Sequence, residues 1–402
     1  MVPTLNEQQP TISMNVLMIA PEPFLEPRGT PVSVYRRAVG LTTLGHHVHL
    51  LTYPIGEDVN VPGLTIHRIA PLPCVKEVGI GPSWSKAVLD VMLFFRAFTL
   101  LSTGDYDIIH SHEEAAYFSG ILASVFRKPH LYDMHSSLPK QLSDVYRWSH
   151  FPLLGLAQVL ESRTIRHCNA IIAVSSRLGQ YVRAIREDVD LEVIENLPVA
   201  PNMVPRHPRD VHRLRQSLGL DGRLPIVYTG TLEPYQGIDL LLDSASSVGK
   251  SCPTAVFIIV GGTPDQVRCL EDEVTKRDLQ HLVILVGRVS LWRIGAYLDL
   301  AEVLVSPRGP TMPIPSKIYD YLQAGKPIVA TAVPPHTQLL TDSTAVLVEP
   351  SSKALSEGIL ELLHAPDLRK RLGENAIEFY KKRCQPDVYL TKLDRVYRRL
   401  QA

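Results

Sequence analysis

The sequence has no CxxC pair, no GxGxxG fingerprint, no run of one charge and no apolar span long enough for a bilayer. Each absence removes a class. The five cysteines, Cys74, Cys168, Cys252, Cys269 and Cys384, are odd in number and scattered. They suit reduced, mostly buried thiols rather than a disulfide framework or a thiolate zinc site. The 41 basic residues balance 41 acidic ones, so no global field points to nucleic acid. Residues 1–13 are polar and lack a basic n-region and an apolar h-region, so no signal peptide is expected. The longest apolar stretch, Ala87–Leu101, is interrupted by Asp90 and Arg96 and falls short of the roughly 20 residues a span requires. It reads first as a core helix. The alternative is an amphipathic helix resting on a membrane, with Trp84, Lys76 and Lys86 nearby.

What is present is alternation. The 402 residues are 45% hydrophobic, enough for two domains with full cores. Short β-branched runs alternate with helical patterns, as in "MNVLMIAP", "HVHLLT", "YDIIHSH", "HLYDMH" and "AIIAVS". Asn196–Asp210 then holds four prolines and reads as a linker. The alternation restarts with "PIVYTG", "AVFIIVGG", "VILVG" and "AEVLVSP". The expected class is α/β, two tandem doubly wound Rossmann-like domains facing a cleft. The boundaries are 14–198, 199–384 and a closing helical segment, 385–402.

Ligands of open α/β sheets bind beyond the carboxyl ends of the strands, so those ends carry the candidates. Arg28, Gly29 and Thr30 precede a helix start that favours phosphate. His110 and His112 share a strand face, with Glu113 next; three ligands of this kind make a poor zinc set, and no metal is expected. His110 reads as a core histidine bonded to a carbonyl. His135 ends its strand before the turn-like "SSLP" and is expected to point into the cleft, where an imidazole bonds a hydroxyl or takes a proton. Glycine-bearing turns follow at Gly230, Gly262 and Gly287. Three in one domain suit a ligand shaped like a nucleotide with its phosphates.

The stretch "TMPIPSKIYDYLQAGKPIVAT", Thr311–Thr331, predicts a short helix starting at Pro315 and capped by Gly325, with Pro327 beyond. Ile318, Tyr321 and Leu322 form its apolar stripe, while Ser316, Lys317 and Asp320 project from another side. A helix start favours an anion.

In this order, "RGTPVSVYRRAVGLTTLGHHVHLLT", "YDIIHSHEE", "NAIIAVSS", "YTGTLEPYQGIDLLL", "VGRVS" and "PSKIYDYLQAGKPIVAT" resemble the retaining glycosyltransferases of GT-B architecture, the family-4 type, from Met14 to the C-terminus. The resemblance implies transfer of a sugar from a nucleotide diphosphate sugar to an acceptor hydroxyl, with configuration kept. It places the donor in the second half and the acceptor in the first. It implies that Asp320 bonds the ribose, that His135 lies near the reacting carbon, that Arg288 meets the base, and that the last helix crosses back to the first domain.

Four positions depart from the family pattern. The sugar-binding glutamate is Met312, the glycine offering an N–H is Pro315, and the two diphosphate cations are Thr231 and Gln236. Lys317 and Arg308, with Arg28, are the basic candidates to replace them. The helix start at Pro315, with Lys317, is therefore expected to meet the diphosphate. No cofactor beyond the co-substrate is expected. Asp188-Val189-Asp190, the literal match to a metal-binding pair, reads as solvated surface. His112 and Glu113 are assigned to the acceptor side. The acceptor is a small molecule, a glycan or a lipid-linked molecule, the last with peripheral membrane contact through Ala87–Leu101. The expected compartment is the cytoplasm, with the inner membrane face open as the alternative. A nucleotide-sugar epimerase and a non-catalytic partner subunit are the rival readings.

Overall fold

The computed structural model describes residues 13–26, 29–73, 75, 78–79, 83–145, 151–195, 208–309 and 315–401. Arg28, Met312 and most of the linker lie outside these. The contacts divide the chain into two compact units. One comprises Met1–Glu26, Thr30–Val199 and Pro386–Ala402; the other comprises Pro27–Gly29 and Ala200–Gln385.

The first unit is built on seven parallel strands: β1 (Asn15–Ala20), β2 (His47–Thr52), β3 (Leu64–Arg68), β4 (Ile108–His112), β5 (His130–Met134), β6 (Ala170–Ala173) and β7 (Asp190–Val193). They are ordered β3-β2-β1-β4-β5-β6-β7. Central strands β4 and β5 are buried at every position, as a parallel sheet covered on both faces requires. The second unit has six parallel strands: β8 (Leu224–Thr229), β9 (Ala255–Val260), β10 (Val283–Gly287), β11 (Val303–Ser306), β12 (Ile328–Thr331) and β13 (Val346–Val348). Their order is β10-β9-β8-β11-β12-β13. The order reverses between β1 and β4 in one sheet and between β8 and β11 in the other, which is where such sheets leave a crevice.

The apolar stretch forms the helix Trp84–Thr103. Ser83 caps it, its Oγ accepting from the Lys86 N–H. Its inner stripe, Leu89, Leu93 and Ala97, is fully buried, so the core-helix reading holds for that side. The outer stripe is apolar too, with Trp84, Val91 and Phe95 exposed.

Several expectations are corrected. The expected linker reaches Asp210, yet the helix Pro208–Ser217 begins two residues before it, with proline at a position where its missing N–H costs nothing. The turn-like "SSLP" instead runs into a helix, Leu138–Val145, that takes in its leucine and proline. Two further helices, Ser352–His364 and Pro366–Arg383, follow the last strand. Their apolar positions lie among charged ones, which hid the period. Val189 of the Asp-Val-Asp sequence is buried. Asp190 opens β7 and pairs with Arg399 at 3.0 Å, so of the three only the exposed Asp188 fits the solvated-surface reading.

Candidate functional site

In the second unit, Gly230 and Thr231 follow β8, and β11 ends just before Arg308. A one-turn helix, Pro234–Gln236, follows β8 and is closed by Gly237 at φ +72°. A Cβ on Gly237 would stand 2.1 Å from the Pro307 carbonyl oxygen. Only glycine permits this approach, and it brings Gln236 and Tyr235 beside Arg308. Gly261 does the same for the neighbouring turn, its Cβ site lying 1.8 Å from the Gly230 oxygen.

Lys317 opens the helix Lys317–Ala324 and reaches back to this loop. Its ammonium donates to Gln236 Oε1 at 3.1 Å and sits 3.9 Å from the centroid of the Tyr228 ring. Gln236 Nε2 donates to Thr231 Oγ1 at 3.2 Å. Tyr228 is held under the ammonium because its hydroxyl donates to the Thr231 carbonyl at 2.6 Å. Arg308 is buried, its guanidinium 5.0 Å over the Tyr235 ring. Burial, and then the charge of Arg308, hold Lys317 well below the usual lysine range. Among the described residues, no carboxylate lies within ion-pair distance of Lys317. The structure thus gathers five of the candidates, Gly230, Thr231, Gln236, Arg308 and Lys317, around one electropositive corner.

Behind it stands His336, which sequence reasoning missed. Its Nδ1–H donates to the Thr331 carbonyl at 2.8 Å and its Nε2 accepts from Ser306 at 2.9 Å. Burial pushes it down to about 4, so it adds no positive charge at neutral pH. The remaining candidates lie around the same strand ends. Gly262, at φ +88°, backs onto Leu232, Arg288 is exposed just after β10, and Asp320 stands one turn beyond Lys317.

The helix start differs from the expectation. Ser316 is the N-cap and Lys317 the first helical residue, so Pro315 precedes the cap. The N–H groups of Ile318 and Tyr319 turn back to the carbonyls of Pro315 and Ser316 at 3.0 and 3.2 Å. Only the N–H groups of Ser316 and Lys317 remain at the tip.

In the first unit, the ends of β4 and β5 converge on Asp133. Arg37, one helix away, donates through Nε to Asp133 Oδ2 at 2.6 Å and through Nη1 to the Tyr389 hydroxyl at 2.9 Å. His110 Nε2 lies 3.4 Å from the same carboxylate, while its Nδ1 accepts from the Tyr397 hydroxyl at 2.7 Å. His110 is therefore tied to a phenol and a carboxylate, not to a carbonyl. The last helix, Pro386–Gln401, supplies both tyrosines. Burial alone would raise Asp133. Arg37 and the imidazoles outweigh that and hold it well below the carboxylate range.

His135 is 7% exposed. Its Nε2 meets His112 Nδ1 at 3.0 Å. Its Nδ1 is buried with no hydrogen-bond partner among the described residues. Burial brings His135 down to about 4, so it is neutral at physiological pH. His110, His112 and Asp133 could gather an ion, but Arg37 already brings positive charge to that carboxylate.

Glu113 sits in the left-handed region at φ 47° and accepts from Ser136 at 2.8 Å. Burial and neighbouring Glu114 push it up to about 8. Asp90, bonded to Tyr53, rises to about 7 for the same two reasons. Lys86 pairs with Glu114. Gly29 opens the helix Gly29–Thr43 with nothing near its Cβ site, and Thr30 is half-buried beside it.

Residues 210–379 match the model for glycosyl transferases group 1, and residues 27–197 that for glycosyltransferase family 4. The α-D-kanosaminyltransferase of Streptomyces kanamyceticus is 24% identical over 80% of this chain and 84% of its own. The phosphatidyl-myo-inositol mannosyltransferase of Mycobacterium tuberculosis is 25% identical over 91% of this chain and 93% of its own. Among solved structures, Anabaena HepE in complex with UDP-glucose superposes with a TM-score of 0.72 at 18% identity, covering 96% of this chain and 99% of that one. Two Rossmann-like sheets, each matched by one half of the same family pair, lead to one conclusion: the chain belongs to the group 1 glycosyltransferases of GT-B architecture.

Proposed function

We propose that the protein transfers a sugar from a nucleoside diphosphate sugar to an acceptor hydroxyl, with retention of configuration and without a metal ion. The observation that carries this is the contact of Lys317 with Gln236 over Tyr228. The family's usual loop cations are Thr231 and Gln236 here. Lys317 and Arg308 bring two cations to that loop from elsewhere in the unit. A departing diphosphate develops charge, and fixed positive groups stabilise it most where water is scarce. The Ser316 and Lys317 N–H groups add to them, and Asp320 holds the ribose hydroxyls. Arg288 meets the base. Gly29, Thr30 and Arg28 are assigned to the phosphates as well.

The acceptor oxygen attacks the anomeric carbon on the face that the diphosphate leaves. The leaving phosphate oxygen takes its proton. His135, neutral, positions the sugar through the buried Nδ1. His112 and Glu113 belong to the acceptor side. The mannosyltransferase relative, named for a phosphatidylinositol, favours a lipid-linked acceptor, met at a membrane through Ala87–Leu101 from the cytoplasmic side.

A thermal-shift panel of UDP-, GDP- and ADP-sugars tests the donor assignment, since a ligand at a hundred times its Kd stabilises by about 2.7 kcal/mol. One donor should raise the melting temperature, and Lys317→Ala should abolish the shift. No shift with any of them sinks the reading. Product formed from donor alone would favour an epimerase.

A further inference from the structure

Ten of the thirteen large hydrophobic side chains exposed among the described residues lie on just three helices, Trp84–Thr103, Ala115–Phe126 and Phe151–His167. The three pack side by side on one face of the first sheet. Trp84 is 90% exposed, Phe95 62%, Val125 61% and Val159 64%. On the first helix the exposed positions recur at the helical period along the side opposite Leu89, Leu93 and Ala97. Phe98 meets Phe126 edge-on at 5.3 Å between centroids, so the apolar surface continues from the first helix onto the second. Singly exposed apolar residues are ordinary, but a contiguous face of them marks a docking surface.

Charge selects the occupant. The three helices carry two carboxylates, Asp90 and Glu161. Asp90 is bonded to Tyr53, and Glu161 is buried, accepting from Ser137 and Tyr181. The exposed charges are arginines. Arg163 and Arg166 continue the exposed stripe of Val159 on the third helix, Arg96 flanks the first, and Arg127 follows the second. A second copy seated on this face by two-fold symmetry would bring arginine stripes together. A bilayer with anionic headgroups takes the apolar side chains into its interface and pairs with the arginines at the rim. Tryptophan at the start of the stripe fits the same interface.

We infer that the outer face of these three helices docks on an anionic lipid bilayer. The face is wider than Ala87–Leu101 alone, and its basic end is on a different helix. It serves the lipid-linked acceptor reading above, on which its purpose, though not its geometry, rests.

Co-sedimentation with vesicles of phosphatidylcholine, with and without phosphatidylglycerol, tests it. The wild-type chain should pellet with the anionic vesicles. Val91→Glu combined with Phe95→Glu should lower that partitioning by at least roughly tenfold. Arg163→Glu combined with Arg166→Glu should remove the preference for phosphatidylglycerol, again by roughly tenfold. All four side chains are on the outside, so melting curves should match wild type. A wild-type chain that stays in the supernatant with both vesicles overturns the inference. So does a dimer in sedimentation equilibrium that Phe95→Glu dissolves, which would make the face a self-association surface. Donor-induced thermal shifts in the same variants separate the two proposals, because docking and donor binding use different units.

Discussion

Lys317 and Gln236 lie 81 positions apart in the chain and touch at 3.1 Å, so an ammonium reaches the loop beside the uncharged Thr231 and Gln236. Substituting Lys317 with alanine should lower kcat about 10²–10³-fold, the usual loss when one fixed donor to a developing anion is removed. Steady-state turnover on the donor identified by the thermal-shift panel measures it. Unchanged turnover would remove Lys317 from the diphosphate.

Donor affinity should depend on pH in a definite direction. In the free protein, burial and Arg308 hold Lys317 well below the usual lysine range. An adjacent diphosphate favours the charged form, so binding takes up a proton wherever the free protein is neutral there. Between the free and bound pKa values, affinity should weaken by up to about tenfold per unit rise in pH. Calorimetry in buffers of different ionisation heat counts the proton directly. Zero uptake across that range would contradict the assignment.

Asp133→Asn should destabilise the first unit by about 3–5 kcal/mol, since it strands a fully buried guanidinium. Tyr389→Phe removes only one acceptor of Arg37 and should cost about 1–2 kcal/mol. Urea midpoints of the two variants should fall in that order. Equal midpoints would mean that the Arg37–Asp133 ion pair contributes no more than the Tyr389 hydrogen bond.

The first unit should also lose stability in mild acid. Burial lowers His110, His112, His130 and His135, His130 to about 3 and His135 to about 4. An unfolded histidine takes its proton near pH 6.5, whereas these stay neutral in the fold. The histidine contribution is therefore complete above pH 6.5 and declines as pH falls from there toward 4, while Glu113 and Asp90, raised to about 8 and about 7, contribute in the opposite direction. Melting temperatures measured from pH 6.5 to 5 should drop, and His130→Gln should flatten part of the slope.

Much of the fold was legible because its signals are local. Buried parallel strands read as apolar runs, and Gly325 at φ +64° caps its helix where the sequence placed the stop. Legibility failed where local signals were weak or competed. Ser352–His364 and Pro366–Arg383 mix apolar and charged positions, and Pro315 looked like a first helical residue although the cap lies beyond it. At the site, Thr231, Gln236, Arg308 and Lys317 could be picked out as residue types at strand ends. His336 and Tyr228 could not, because nothing near them in sequence marks a buried imidazole behind a cation or a ring beneath one.

By itself the sequence determined the alternation of strands and helices, the two-sheet class and the set of polar residues at the strand ends, since these follow from periodicity and turn chemistry over a few residues. Only the tertiary structure decided which of those residues meet. Arg37 finds Asp133 and Tyr389 across 96 and 352 positions, and His135 meets His112. The reason is physical: partners for a buried charge are chosen by the packing of whole sheets and helices, and a few adjacent residues carry no record of it.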